Sequence, residues 1–128
     1  MSHFESYEKR FGRKCDFIVE YDFILDQEDY VVTLSQGMRS DFCYEKDYRP
    51  GPVYMIWPEF ESENGEVIDD TEVEVSDHGR ARMWVMLEEQ RPMHKDRLTL
   101  GLKGYFVAGS HKIVEAKVVE IVSLKCNP

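Results

Sequence analysis

The chain has 128 residues, 42% hydrophobic and 32% charged, and its 16 Lys and Arg stand against 25 Asp and Glu for a formal charge of −9. That size and balance fit one compact globular domain and exclude a disordered chain. No apolar run reaches the roughly 18–20 residues of a membrane span, and the opening stretch "MSHFESYEKRFGRK" lacks the apolar core of a secretory signal.

Residues 1–14 read as an N-terminal arm or short helix. Phe4, Tyr7 and Phe11 recur at spacings of three and four, which places them on one helical face. From Cys15 onward the pattern is that of strands. "CDFIVEYDFIL" alternates Phe17, Val19, Tyr21, Phe23 and Leu25 with Asp16, Ile18, Glu20, Asp22 and Ile24, the signature of a half-buried strand. "YVVTL" extends it or forms a second short piece. "SQGMRSDFCYEKDYRPGP", with its glycines and prolines, reads as a loop. "VYMIWPEF" reads as a strand, and Asn64-Gly65 in "ESENGEVI" is a hairpin signal, because the tight turn needs a residue tolerant of positive φ. "TEVEV" alternates again. After the "SDHG" turn, "RARMWVMLEE" sets Ala81, Met83, Val85 and Leu87 on one side and Trp84 and Met86 on the other. "RLTLGLKGYFVAG" and "HKIVEAKVVEIVSL" complete the set. Six or seven short strands between turns, without a long helix, predict an all-β fold, a closed barrel or sandwich.

The charge is unevenly spread. Between Gly51 and Gly79 there is no Lys or Arg, yet nine acids occur: Glu59, Glu61, Glu63, Glu66, Asp69, Asp70, Glu72, Glu74 and Asp77. Outside this segment acids and bases balance, so it carries the whole imbalance. Such a segment repels nucleic-acid phosphate and attracts a basic protein surface; it also serves simply as a solvated face.

Motifs for chemistry are missing where they would be needed. Gly104 to His111 imitates the opening of a phosphate-binding loop, but His follows Ser110 where Lys is required, and the next residues are strand-like rather than helical. The four histidines have no metal-ligand spacing, and Asp77-His78 and His94-Lys95-Asp96 read as exposed turn residues. Three cysteines, Cys15, Cys43 and Cys126, form no CxxC pair, which speaks for a reducing cytoplasm and against a disulfide framework or zinc cluster. "EFESENGEVIDD" puts its glycine one position late for a calcium loop. No catalytic residue, metal, cofactor or nucleotide is expected.

The ordered motifs "DYRPGPVYMIWPEF", "NGEVI" and "GRARMWVMLEEQRPMHKDRLTLGLKGYFVAGSHKIVEAKVVEI" resemble the C-terminal β-barrel of elongation factor Tu and related translational GTPases. Tyr48-Arg49-Pro50 matches that domain's Tyr-Arg-Pro, and Gly109-Ser110-His111 falls at its Gly-Gly-Arg turn. The resemblance covers residues 15–125, with 126–128 as a tail. It implies a six-stranded antiparallel Greek-key barrel standing alone, without the GTPase domain. In that family the final turn touches tRNA; here His111 replaces the Arg, and Val114 stands at the later small residue, which disfavours tRNA.

These readings lead to a non-enzymatic protein-binding module, connected with translation, whose partner presents a basic surface. The expected contacts are Glu61, Glu63, Glu66, Asp69 and Asp70, with Tyr48, Arg49 and His111 as a second patch. The alternatives are a small acidic immunity protein that neutralises a basic toxin domain, and an RNA- or tRNA-associated factor.

Overall fold

The computed structural model describes residues 4–24, 34–47, 52–71, 75–108 and 111–126. In chain order these form helix α1 (Tyr7–Phe11), strand β1 (Phe17–Phe23), β2 (Asp41–Tyr44), β3 (Ile56–Phe60), β4 (His78–Val85), helix α2 (Arg91–Arg97), β5 (Lys103–Ala108), β6 (His111–Ile121) and the short α3 (Ser123–Cys126). The six strands make one antiparallel sheet in the order β2-β5-β6-β1-β4-β3.

The sheet curls until its two edges meet. Phe42 of β2 and Tyr54, just ahead of β3, exchange backbone bonds: the Phe42 N–H donates to the Tyr54 carbonyl at 2.9 Å, and the reverse bond is 2.8 Å. With that contact, β1, β4, β3 and β2 lie side by side in Greek-key order. Further along the same seam the backbones no longer pair. Instead the buried Gln36 side chain substitutes for a strand. Its Oε1 accepts from the Phe60 N–H at 2.8 Å, and its Nε2 donates to the carbonyls of Phe60 (3.0 Å) and Ile68 (2.7 Å). An open edge is a hazard for pairing with other chains, and this sheet closes it with one bridge and one amide.

Strand alternation builds the core. Phe17, Val19 and Tyr21 of β1 and Ala81, Met83 and Val85 of β4 face inward with Phe42, Tyr44, Ile56, Phe60 and Phe106. On β6, Ile113 and Val114 both reach this core, because a register shift against β5 at Phe106/Val107 inserts an extra residue. Gly104 is a packing requirement. A Cβ there would run into the Phe42 ring and lie 2.9 Å from the Cys43 carbonyl oxygen. The glycine therefore lets β5 approach β2 closely.

The outer face of β4 is covered too. Trp84 is buried with Phe4, Tyr7, Cys15 and Ile18 in a second cluster under α1. The helix has only five residues and survives through its ends and its packing. The Ser6 hydroxyl accepts from the Lys9 N–H at 3.3 Å, and Gly12 adopts φ 67° while donating to the Glu8 carbonyl at 2.9 Å. Tyr7 and Phe11 lie against Trp84 at ring separations of 5.8 and 5.7 Å, and Arg13 sits over both Phe11 and Trp84. A buried ion pair ties the two ends of the chain: Asp16 accepts from Arg91 Nε at 2.8 Å and from the Val85 N–H at 2.7 Å, while Arg91 also donates to Ser123.

Three expectations need correction. Residues 35–52, read as loop, contain β2, whose four residues pair in full with β5 despite the flanking Gly and Pro. The strand expected from Val53 starts at Ile56, and Val53 and Met55 are exposed. Residues 97–102, expected to open a strand, end α2 and turn through Gly101 at φ 86°, so β5 begins at Lys103. The strand expected in "TEVEV" and the "YVVTL" segment fall mostly outside the described residues.

Candidate interaction surface

Residues 61–67 project from the end of β3 as a tight hairpin. Glu61 bridges to Val67, the Ser62 N–H donates to the Glu66 carbonyl at 2.7 Å, and Gly65 takes φ 81° at the tip. A residue with a side chain resists that conformation, which explains the glycine after Asn64. The returning arm anchors the hairpin, with Val67 against the cluster under α1 and Ile68 against the main core.

The carboxylates of this segment do not share one fate. Glu59 is fully buried. Its Oε2 accepts from the Tyr7 N–H at 2.8 Å and its Oε1 from Trp84 Nε1 at 3.1 Å. Burial pushes its pKa up, and the two hydrogen bonds pull partly the other way. Glu61 is also committed: Arg82 Nε donates to it at 2.9 Å, and Arg80 pairs with it at 3.5 Å. Arg82 further donates to the Gly65 carbonyl and so fixes the tip, while Arg80 reaches Glu120 at 3.6 Å. By contrast Glu63, Glu66, Asp69 and Asp77 are exposed, and none has an ion pair among the described residues. Asp70 is half-buried.

Between the hairpin tip and the start of β4 lies an open groove of about 680 Å³, lined by Glu61, Glu63, Ile68, Val75, His78 and Arg80, among others. Its apolar floor is Ile68 and Val75, and its polar rim carries the carboxylate of Glu63 beside the Glu61–Arg80 pair, with Ser62, Asn64 and His78. The surface therefore offers unpaired negative charge beside a shallow apolar recess. Of the second expected patch, Tyr48 and Arg49 lie outside the described residues, as do Gly109 and Ser110. His111 opens β6 opposite Ala108. Glu72 and Glu74 are likewise outside.

Sequence reading missed three features. Glu59 was counted with the solvent-facing acids, although its position two residues after the outward Trp57 and beside Trp84 marks a covered face. Asp16 was placed on the polar side of β1, yet it is buried in the pair with Arg91. His94 was read as an exposed turn residue; it lies inside α2, fully buried, with its pKa lowered to about 4, chiefly by burial and further by Arg97. Among the described residues no group of three His, Cys, Asp or Glu is gathered as for a metal, and no helix is long and apolar enough to cross a membrane. Compared with known proteins, the chain matches no family model, no curated protein and no solved structure.

Proposed function

We propose that this chain is a non-enzymatic binding module, a stand-alone barrel of the translation-factor type, whose acidic hairpin edge receives a basic surface of another protein. The observation that carries this reading is the division of charge around the groove. Glu61 holds Arg80 and Arg82, so the nearby cations are already engaged, while Glu63, Glu66, Asp69 and Asp77 remain exposed. Exposed charge of one sign steers encounter and selects partners by sign, and its reach is about 8 Å at physiological salt. Arg82, bonded to both Glu61 and the Gly65 carbonyl, holds the tip that carries Glu63 and Glu66, which lowers the entropy lost when these two bind.

Pull-down of the intact chain from lysate of its source cell, at low and high salt, tests the reading against a variant carrying Glu63→Gln, Glu66→Gln, Asp69→Asn and Asp77→Asn. The reading expects a protein recovered at low salt, released at high salt and lost with the variant. Recovery that ignores both salt and the variant, or recovery of RNA instead of protein, contradicts it.

A further inference from the structure

The seam where the sheet closes has an unusual third party. His94 of α2 lies between the two edges. Its Nδ1 is 2.6 Å from the hydroxyl of Tyr44, the last residue of β2. Its ring meets Tyr54 edge-on at 4.7 Å, at the lead-in to β3. Tyr44 and Tyr54 also touch each other, at 5.8 Å; Tyr54 is one half of the Phe42–Tyr54 bridge, the backbone pair that joins the two edges, and Tyr44 lies two residues beyond its other half. One imidazole from a separate helix thus fastens both sides of the closure.

The fastening is matched to a neutral ring. His94 is fully buried, and its Nε2 has no hydrogen-bond partner. The groups that face it are Tyr44 from β2, Tyr54 from the seam and Arg97 from its own helix, the last seated over the Tyr44 ring at 3.9 Å. Glu45, the residue after Tyr44, accepts from Tyr105 instead, and Asp16 is taken by Arg91 of α2. Among the described residues no carboxylate pairs with the imidazole. A second proton would therefore put a buried cation beside Arg97, with both ring nitrogens as N–H donors and no acceptor at Nε2. A charge in such a place is relieved by moving into water rather than by staying.

We propose that His94 is a proton-sensitive clasp: neutral, it holds β2 and β3 together across the seam, and protonated, it leaves the seam, so that the barrel opens there while its central strands stay folded. The opened state presents the edges of β2 and β3, which is the surface that strand-adding partners use. This opening is independent of the acidic groove, which lies at the other end of β3.

Amide hydrogen exchange read by NMR tests the clasp in the intact chain. Protection is corrected for the intrinsic pH dependence of exchange and followed from pH 7 down to about pH 4. The amides of Phe42 and Tyr54 are expected to lose at least tenfold protection in step with titration of the His94 ring, while those of Val19 on β1 and Val118 on β6, the latter donating to the Leu102 carbonyl, keep theirs. His94→Phe, which keeps a ring but cannot take a proton, should flatten the seam's pH dependence. Should that variant fail to fold, the wild-type arm still decides. Seam and centre losing protection together, a titrating His94 with an unchanged seam, or a pH-dependent seam in His94→Phe each overturn the proposal.

Discussion

Glu59 and Glu63 stand four residues apart on one acidic stretch, and the molecule treats them in opposite ways. Glu59 sits under α1, accepts two hydrogen bonds and sees no water. Glu63 stands at a hairpin tip in open solvent. The difference arises from what lies above each position. The end of β4 offers Trp84, and Tyr7 and Phe11 of α1, together with Phe4 ahead of the helix, cover it; the start of β4 offers His78 and Arg80, and no described element covers them. On this stretch, carboxylates under cover are bound into the fold, whereas those in the open have no ion pair among the described residues and are the ones the proposed function uses.

That contrast can be broken first at its covered side. Asp16→Ala leaves Arg91 buried without its partner and removes an acceptor from the Val85 N–H, so it should cost about 3–5 kcal/mol in chemical denaturation. Trp84→Ala empties the cluster under α1 and exposes Glu59, with an expected loss of about 3–5 kcal/mol. If it costs less than about 1 kcal/mol, the outer cluster is no part of the stable fold. Gly104→Ala should cost about 1–3 kcal/mol, because the new methyl collides with Phe42 at the closest approach of β5 and β2.

Acid sharpens the same contrast. His94 takes its proton near pH 4 when folded and near its ordinary value of 6.5 when unfolded. Between those values the unfolded chain binds more protons, so stability falls as pH drops from about 6.5 to about 4 and falls no further from this group below that. The full effect is about 3 kcal/mol at most. Glu59 acts in the reverse sense, since its raised pKa means that ionisation costs stability as pH rises above the ordinary carboxylate range. Denaturation midpoints across this range, in wild type and His94→Phe, separate the two. At the open side, Glu63→Gln alone should alter stability by no more than about 0.5 kcal/mol.

The alternation of β1 and β4 was readable because one face of each strand meets the core. The hairpin was readable because Asn64-Gly65 has a backbone reason to be there. β2 was not readable: four residues inside a run of Gly, Pro and charged side chains pair only because β5, sixty residues later, brings Gly104 against them. Nor was the cover on Trp84, since the spacing of Phe4, Tyr7 and Phe11 indicates a helix face without indicating what it meets. Buried Asp16, Glu59 and His94 escaped for the same reason. Each belongs to a residue type that is usually solvated, and each is held by at least one partner 25 or more residues away in sequence, Trp84 for Glu59, Val85 and Arg91 for Asp16, and Tyr44 for His94.

Most directly testable is the claim that the open carboxylates serve recognition and leave the fold untouched. The measurement pairs urea unfolding with association to a lysine- and arginine-rich peptide at low salt, for wild type and for the fourfold Glu63→Gln, Glu66→Gln, Asp69→Asn, Asp77→Asn variant. The account predicts an equal or higher unfolding midpoint for the variant, through reduced self-repulsion, and at least a tenfold weaker association. A midpoint that drops sharply, or an association that survives the change, would contradict it.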